Sequence, residues 1–131
     1  MNQKRINQRI EDFKNALKRL DKVLKEDITK TDAIIDATIQ RFEFTFELSW
    51  KLLKDILSYN GIEALNPRST IKEAYQQKII EDGDSWIQML EDRNKTSHIY
   101  DEKEAKRIYD EIKNIYFGLL SNLSKNTKDI N

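Results

Sequence analysis

Only three glycines and one proline interrupt the 131 residues of this chain, and that scarcity constrains the fold more than any other feature. Gly and Pro are the strongest local punctuators of a polypeptide. A sandwich or barrel of short strands needs a turn signal roughly every 8 to 12 residues, and this sequence cannot supply them. Its elements must be few and long. Apolar residues make up 38% and charged residues 35%, a division that suits amphipathic helices with one face buried and the other solvated. A chain of this size can bury about two thirds of its unfolded surface, so one hydrophobic core suffices. There is no cysteine, which removes disulfides, thiolate metal sites and a cysteine nucleophile together.

The N-terminal stretch MNQKRINQRIEDFKN lacks the apolar centre of a signal peptide. No window approaches the ~18 uninterrupted apolar residues of a membrane span. The expectation is a cytoplasmic protein without a membrane partner. The 23 basic and 23 acidic side chains cancel, so no global field draws in nucleic acid. Any RNA contact has to come from a local patch.

Ile6, Ile10, Phe13, Leu17, Leu20 and Leu24 recur at helical spacing, which predicts a first helix over 3–26. Thr31 or Asp32 can cap a second helix running to about Tyr59. Its segment 41–47 alternates like a strand, but Phe42, Phe46, Trp50, Leu53 and Leu57 keep one helical stripe through it, and Phe44, Leu48 and Leu52 form another. A helix apolar on two sides belongs in the middle of a bundle or at a subunit interface. Asn60-Gly61 ends it. A short helix follows from Ser69 or Thr70 to about Gly83, and Asp84 opens a fourth with Trp86, Met89 and Leu90 on one face. Asp101 with Glu104 has the spacing of a capping box for a last helix to about Leu123, inside which Gly118 points to close helix packing. The predicted architecture is all-α: an antiparallel up-and-down four-helix bundle with one additional short helix, a single domain over 1–131 whose tail 124–131 frays.

Chemistry concentrates in residues 93–100. Arg93 lies seven residues beyond Trp86, about 20° from it around a helix. A guanidinium therefore occupies the apolar stripe. It needs a partner there, because an unpaired buried charge is costly; either a neighbouring Glu at the bundle edge or an anionic ligand would serve. His98 is the single histidine, and five positions on a continuous helix would set it about 140° from Arg93. A joint site requires the helix to stop between them. Asn94, Thr96 and Ser97 favour such a stop, since their side chains compete for backbone hydrogen bonds. Glu43 and Glu47 could imitate the carboxylates of a di-iron bundle, but those sites need Glu-x-x-His on two helices. No metal and no cofactor is expected, and these glutamates are read as facing solvent or pairing with Arg41 or Lys51.

RNKTSHIYDE, residues 93–102, resembles the R-x4-H-x-Y signature of HEPN domains in their HepT toxin branch. QRFEFTFELSWKLLK, residues 40–54, and NPRSTIKEAYQQKIIEDGDSW, residues 66–86, are similar to segments of the nucleotidyltransferase substrate-binding subunits of the same group. The resemblance implies a helical bundle, usually a homodimer, paired as toxin with a minimal nucleotidyltransferase as antitoxin. It implies that Arg93 and His98 cleave RNA without metal, that Asn94 supports the site, and that Tyr100 is where the partner attaches AMP. It leaves open a non-catalytic subunit that presents a nucleotide or other substrate to that partner. The residue types fit the first reading, because metal-free RNA cleavage needs a base, an acid and positive charge on the phosphorane. One histidine cannot easily be both base and acid. A twofold dimer would bring two into one cleft.

Overall fold

The architecture begins with a long antiparallel hairpin, described here from a computed structural model that covers residues 3–99 and 101–127. The first helix, α1, is Gln3–Leu24, and all six residues of its predicted stripe are buried. The second, α2, is Ala33–Tyr59. Thr31 Oγ1 accepts from the Ala33 N–H at 3.3 Å, whereas Asp32 stands at the N-cap without a side-chain bond. Arg9 Nε donates to Asp55 at 2.7 Å and Arg41 donates to the Arg19 carbonyl at 2.8 Å. Those two pairs set the helices side by side in opposite directions. The alternating segment 41–47 is helical throughout. In the first stripe Phe42, Phe46, Leu53 and Leu57 are buried and Trp50 is half-buried, whereas the second grades from Phe44, 56% exposed, through half-buried Leu48 to buried Leu52.

Gly61 terminates α2 at φ 82°, with the Ile62 N–H bonded back to the Leu57 carbonyl at 2.9 Å, an arrangement that favours glycine because a Cβ is strained in the left-handed region. The third helix, α3, is Pro67–Gln76. It starts two residues earlier than the Ser69 expected from sequence, because Pro67 is preset for the first helical position and Asn66 and Ser69 form a reciprocal capping box. The fourth, α4, is Gly83–Lys95. Asp82, not Asp84, caps it, accepting from the Ser85 N–H at 3.1 Å. Hydrogen bonding from Ser85, its side chain first and then this N–H, holds the Asp82 carboxyl below its usual range.

The last rod consists of α5, Glu102–Glu111, a π-helical segment Ile112–Tyr116, and α6, Phe117–Asn126. Asp101 caps it as expected, bonding the Glu104 N–H at 2.7 Å, but Glu104 turns to Arg107 and leaves the box half made. The π segment has a physical cause in the sequence. Ile108, Ile112, Tyr116 and Leu120 are all buried, and each four-residue step over-rotates an α-helix by about 40°. Three such steps would carry Leu120 out of the core. The wider π turn absorbs the excess. The helix continues to Asn126 and Thr127 is buried with its hydroxyl on the Leu123 carbonyl at 2.7 Å, so the fraying expected from Ser124 does not begin there. Residues 128–131 lie outside the described part.

A continuous apolar core draws on α1, α2, α3, α4 and the last rod. At its centre Phe42 stacks on Tyr116 with ring centroids 5.7 Å apart, and Phe46 lies 6.4 Å from Trp86. No helix among the described residues is long and apolar enough to cross a membrane. Gly118 departs from expectation. A Cβ built on it meets nothing within 4 Å, so close packing is not its reason. Gly118→Ala is expected to stabilise the protein by about 1 kcal/mol through helix propensity, read as a higher melting temperature in calorimetry. A drop in melting temperature would mean that another surface covers this position in solution.

Candidate functional site

The last turn of α4 and the segment after it carry Arg93, Asn94 and His98. The α-helix stops at Lys95 and a 3₁₀ turn spans Thr96–His98. The hydroxyls do what their types predict: Thr96 Oγ1 donates to the Arg93 carbonyl at 2.6 Å and Ser97 Oγ to the Asn94 carbonyl at 3.3 Å. Carbonyls left open at a helix end are thereby satisfied. Asn94 and His98 are exposed. No hydrogen bond or ion pair joins Arg93, Asn94 and His98 to one another among the described residues. Ile99 is extended and half-buried. Tyr100, the proposed attachment point for AMP, lies outside the described residues.

Arg93 is half-buried, facing α2. Its Nη1 stands 3.7 Å from Glu43 Oε2, beyond hydrogen-bond range. Its Nε–H is enclosed with no acceptor among the described residues. The neighbouring-glutamate partner considered from sequence is therefore present, as a loose ion pair that leaves a guanidinium donor unused. Glu43 turns to Arg93 and not to Arg41, while Glu47 pairs with Lys51 at 3.3 Å and accepts from Trp50 Nε1 at 3.1 Å. Among the described residues no three His, Asp or Glu side chains converge as metal donors.

The helical wheel placed Arg93 on the buried stripe, but the deeply buried charge is its neighbour. The Asp92 side chain is 4% exposed against 29% for Arg93. Near its C-terminal end α4 meets the last rod through Asp92, while Arg93 stands toward Glu43 on α2. Asp92 accepts from the Tyr116 hydroxyl at 2.5 Å, from Arg107 at 2.8 and 3.4 Å, and has Lys95 Nζ at 4.0 Å. Burial, followed by this bond to Asp92, raises the Tyr116 phenol above its ordinary range. Bonds to Glu104 and then Asp92 raise Arg107. Sequence reading missed this cluster, although the four-residue spacing that passes through Tyr116 was visible.

The raised phenol has a consequence at high pH. Tyr116 keeps its proton in the fold at a pH where the unfolded chain, with a value of 10.0, has begun to lose it. Its contribution is intact below about pH 10 and declines as pH rises, by at most about 1.4 kcal/mol per unit for one proton. Urea denaturation of the wild type and Tyr116→Phe should show the wild type losing stability faster above pH 10. Parallel profiles would refute this account.

The sequence matches the family described as "Nucleotidyltransferase substrate binding protein like" over residues 8–129. It is 35% identical over 86 residues to a Haemophilus influenzae protein named "Probable ribonuclease HepT", a match spanning 62% of this chain and 59% of that protein. A crystal structure of a Thermus thermophilus protein superposes with a TM-score of 0.80 at 30% identity, covering 88% of this chain and 99% of the other. HI0074 from Haemophilus influenzae, described as revealing the fold of a substrate binding domain of a nucleotidyltransferase, has a TM-score of 0.67 at 24% identity and covers 95% and 98%; at that identity the likeness concerns the fold alone. The family match extends across nearly the whole chain and includes the Arg93–His98 segment, so this protein belongs to the nucleotidyltransferase substrate-binding protein-like family.

Proposed function

We propose that this protein is a HEPN-type, metal-independent endoribonuclease, the toxin of a toxin-antitoxin pair neutralised by a minimal nucleotidyltransferase. The observation that carries the reading is the partly exposed Arg93 guanidinium, held only by a 3.7 Å ion pair to Glu43 that is too long to be a hydrogen bond. A guanidinium held so loosely can clamp a phosphate oxygen, and its planar fork suits that geometry. The exposed His98 imidazole, five residues on, is the proton-transfer group in this reading, and Asn94 supports the site. The resemblance to a protein named as a ribonuclease supports the same assignment.

The site completes itself in a homodimer of antiparallel four-helix bundles, each a single domain with α3 as the additional short helix. Two copies supply two histidines to one cleft, so that one acts as base and the other as acid. Tyr100 precedes the Asp101 cap of α5. AMP attached there by the partner would add a phosphodiester whose negative charge can compete with RNA phosphate for the Arg93 guanidinium. A cellular RNA substrate makes this a cytoplasmic activity.

The test incubates the purified protein with RNA in EDTA, then repeats the assay after treatment with its cognate nucleotidyltransferase, ATP and Mg²⁺. Cleavage in EDTA that disappears as mass is added at Tyr100 is the expected result. A single observation favours a second reading, a non-catalytic subunit presenting substrate to the nucleotidyltransferase, and it is the family's own description. RNA left intact by the untreated protein, together with nucleotide binding, would establish that reading over the first.

A further inference from the structure

We infer that the buried Asp92–Tyr116–Arg107 cluster is a positioning device for the site, fixing the rotation of α4 about its axis and thereby the place of Arg93. The inference rests on the proposed role of Arg93 and His98, and it adds three residues that do not touch the RNA. Asp92 and Arg93 are consecutive on the last turn of α4. One points into the bundle against α5 and the π segment; the other points to Glu43 on α2. Neither the loose Glu43 pair nor the enclosed Nε–H restrains the guanidinium by a hydrogen bond. Its position is therefore inherited from the helix that carries it.

Leverage makes the inherited position sensitive. A group standing about 6 Å from a helix axis moves about 1 Å when the helix turns by roughly 10°. A misplacement of that size can cost about 10²-fold in rate. Asp92 resists such a turn from two sides, through the Tyr116 hydroxyl at 2.5 Å and Arg107 at 2.8 Å. Tyr116 ends the π segment, fully buried, with its hydroxyl on Asp92. The π turn, which looks like a local irregularity of the last rod, thus bears on residue 93 of another helix.

The chain itself supplies the probes. His98 is the single histidine, so its ring signals in a proton NMR spectrum need no assignment. The Arg93 Nε–H is enclosed and should exchange slowly enough to give its own nitrogen-correlated signal. Tyr116→Phe removes one hydroxyl from the cluster. Tyr109→Phe is the control, because that buried tyrosine of the same rod has a hydroxyl without a partner. Asp92→Asn is the second variant, retaining shape and an acceptor for Tyr116 while dropping the charge. The expected result is that Tyr116→Phe moves the Arg93 Nε–H and His98 signals and lowers kcat for RNA at least tenfold with KM within about twofold, the pattern of a lost transition-state contact. Asp92→Asn should move the same signals less, and Tyr109→Phe should leave signals and kcat as in the wild type. Tyr116→Phe with unmoved Arg93 and His98 signals, or equal movement in Tyr109→Phe, would overturn the inference and reduce the cluster to a helix staple. If the wild type itself leaves RNA intact, the ribonuclease reading fails, and the NMR comparison alone decides the positioning.

Discussion

His98→Ala is expected to lower RNA cleavage by about 10²- to 10⁴-fold, the usual worth of a positioned acid or base, while melting stays as in the wild type. The separation of the two effects follows from where His98 sits. It is exposed, on a 3₁₀ turn whose hydroxyl bonds come from Thr96 and Ser97, so its removal opens no cavity. Surface substitutions of this kind usually stay within about 0.5 kcal/mol. Arg93→Ala should be comparably inactive, with a small structural consequence because its ion pair with Glu43 is loose and half-exposed. Rates from single-turnover assays in EDTA, beside thermal melts of the same samples, check both. A His98→Ala enzyme retaining more than about a tenth of the wild-type rate would remove His98 from the mechanism.

Phe42→Ala is expected to destabilise the fold by about 3–5 kcal/mol, a large share of the 5–15 kcal/mol typical of a domain. Phe42 is fully buried, stacked on Tyr116 and 6.3 Å from Phe46. Truncation leaves a void where α2 meets the π segment, and helices joined by that stack can collapse only partly around it. Phe44, two residues along the same helix, is the comparison. It is 56% exposed, so Phe44→Ala should stay within about 0.5 kcal/mol in a monomer. Urea denaturation of the two variants measures the contrast. A Phe42→Ala loss below about 1 kcal/mol would contradict the packing described. A Phe44→Ala loss that grows with protein concentration would identify that residue as part of a subunit seam.

The helical character was legible before any coordinates, since few Gly and Pro residues force long elements and the stripes through Ile6–Leu24 and Phe42–Leu57 have helical spacing. The stop after Arg93 was legible too, because the competing hydroxyls of Thr96 and Ser97 act on carbonyls three residues away. Local rules reach that far and no farther. The start of α3 at Pro67 and the Asp82 cap of α4 are also local, and a closer reading of the same signals contains them. Other features depend on which helices become neighbours. The sequence places Arg93 on an apolar stripe, but only the contact of α4 with the last rod decides that Asp92 takes the buried place and Arg93 the edge. The four-residue steps from Ile108 to Leu120 show a drift, yet the π turn that resolves it exists because Tyr116 has Phe42 and Asp92 to meet across the core. Glu43 reaches Arg93 across fifty residues of chain, a pairing that no periodicity encodes. Spacing along one helix specifies which side chains share a face; the partner that face meets is set by the packing of all the helices together.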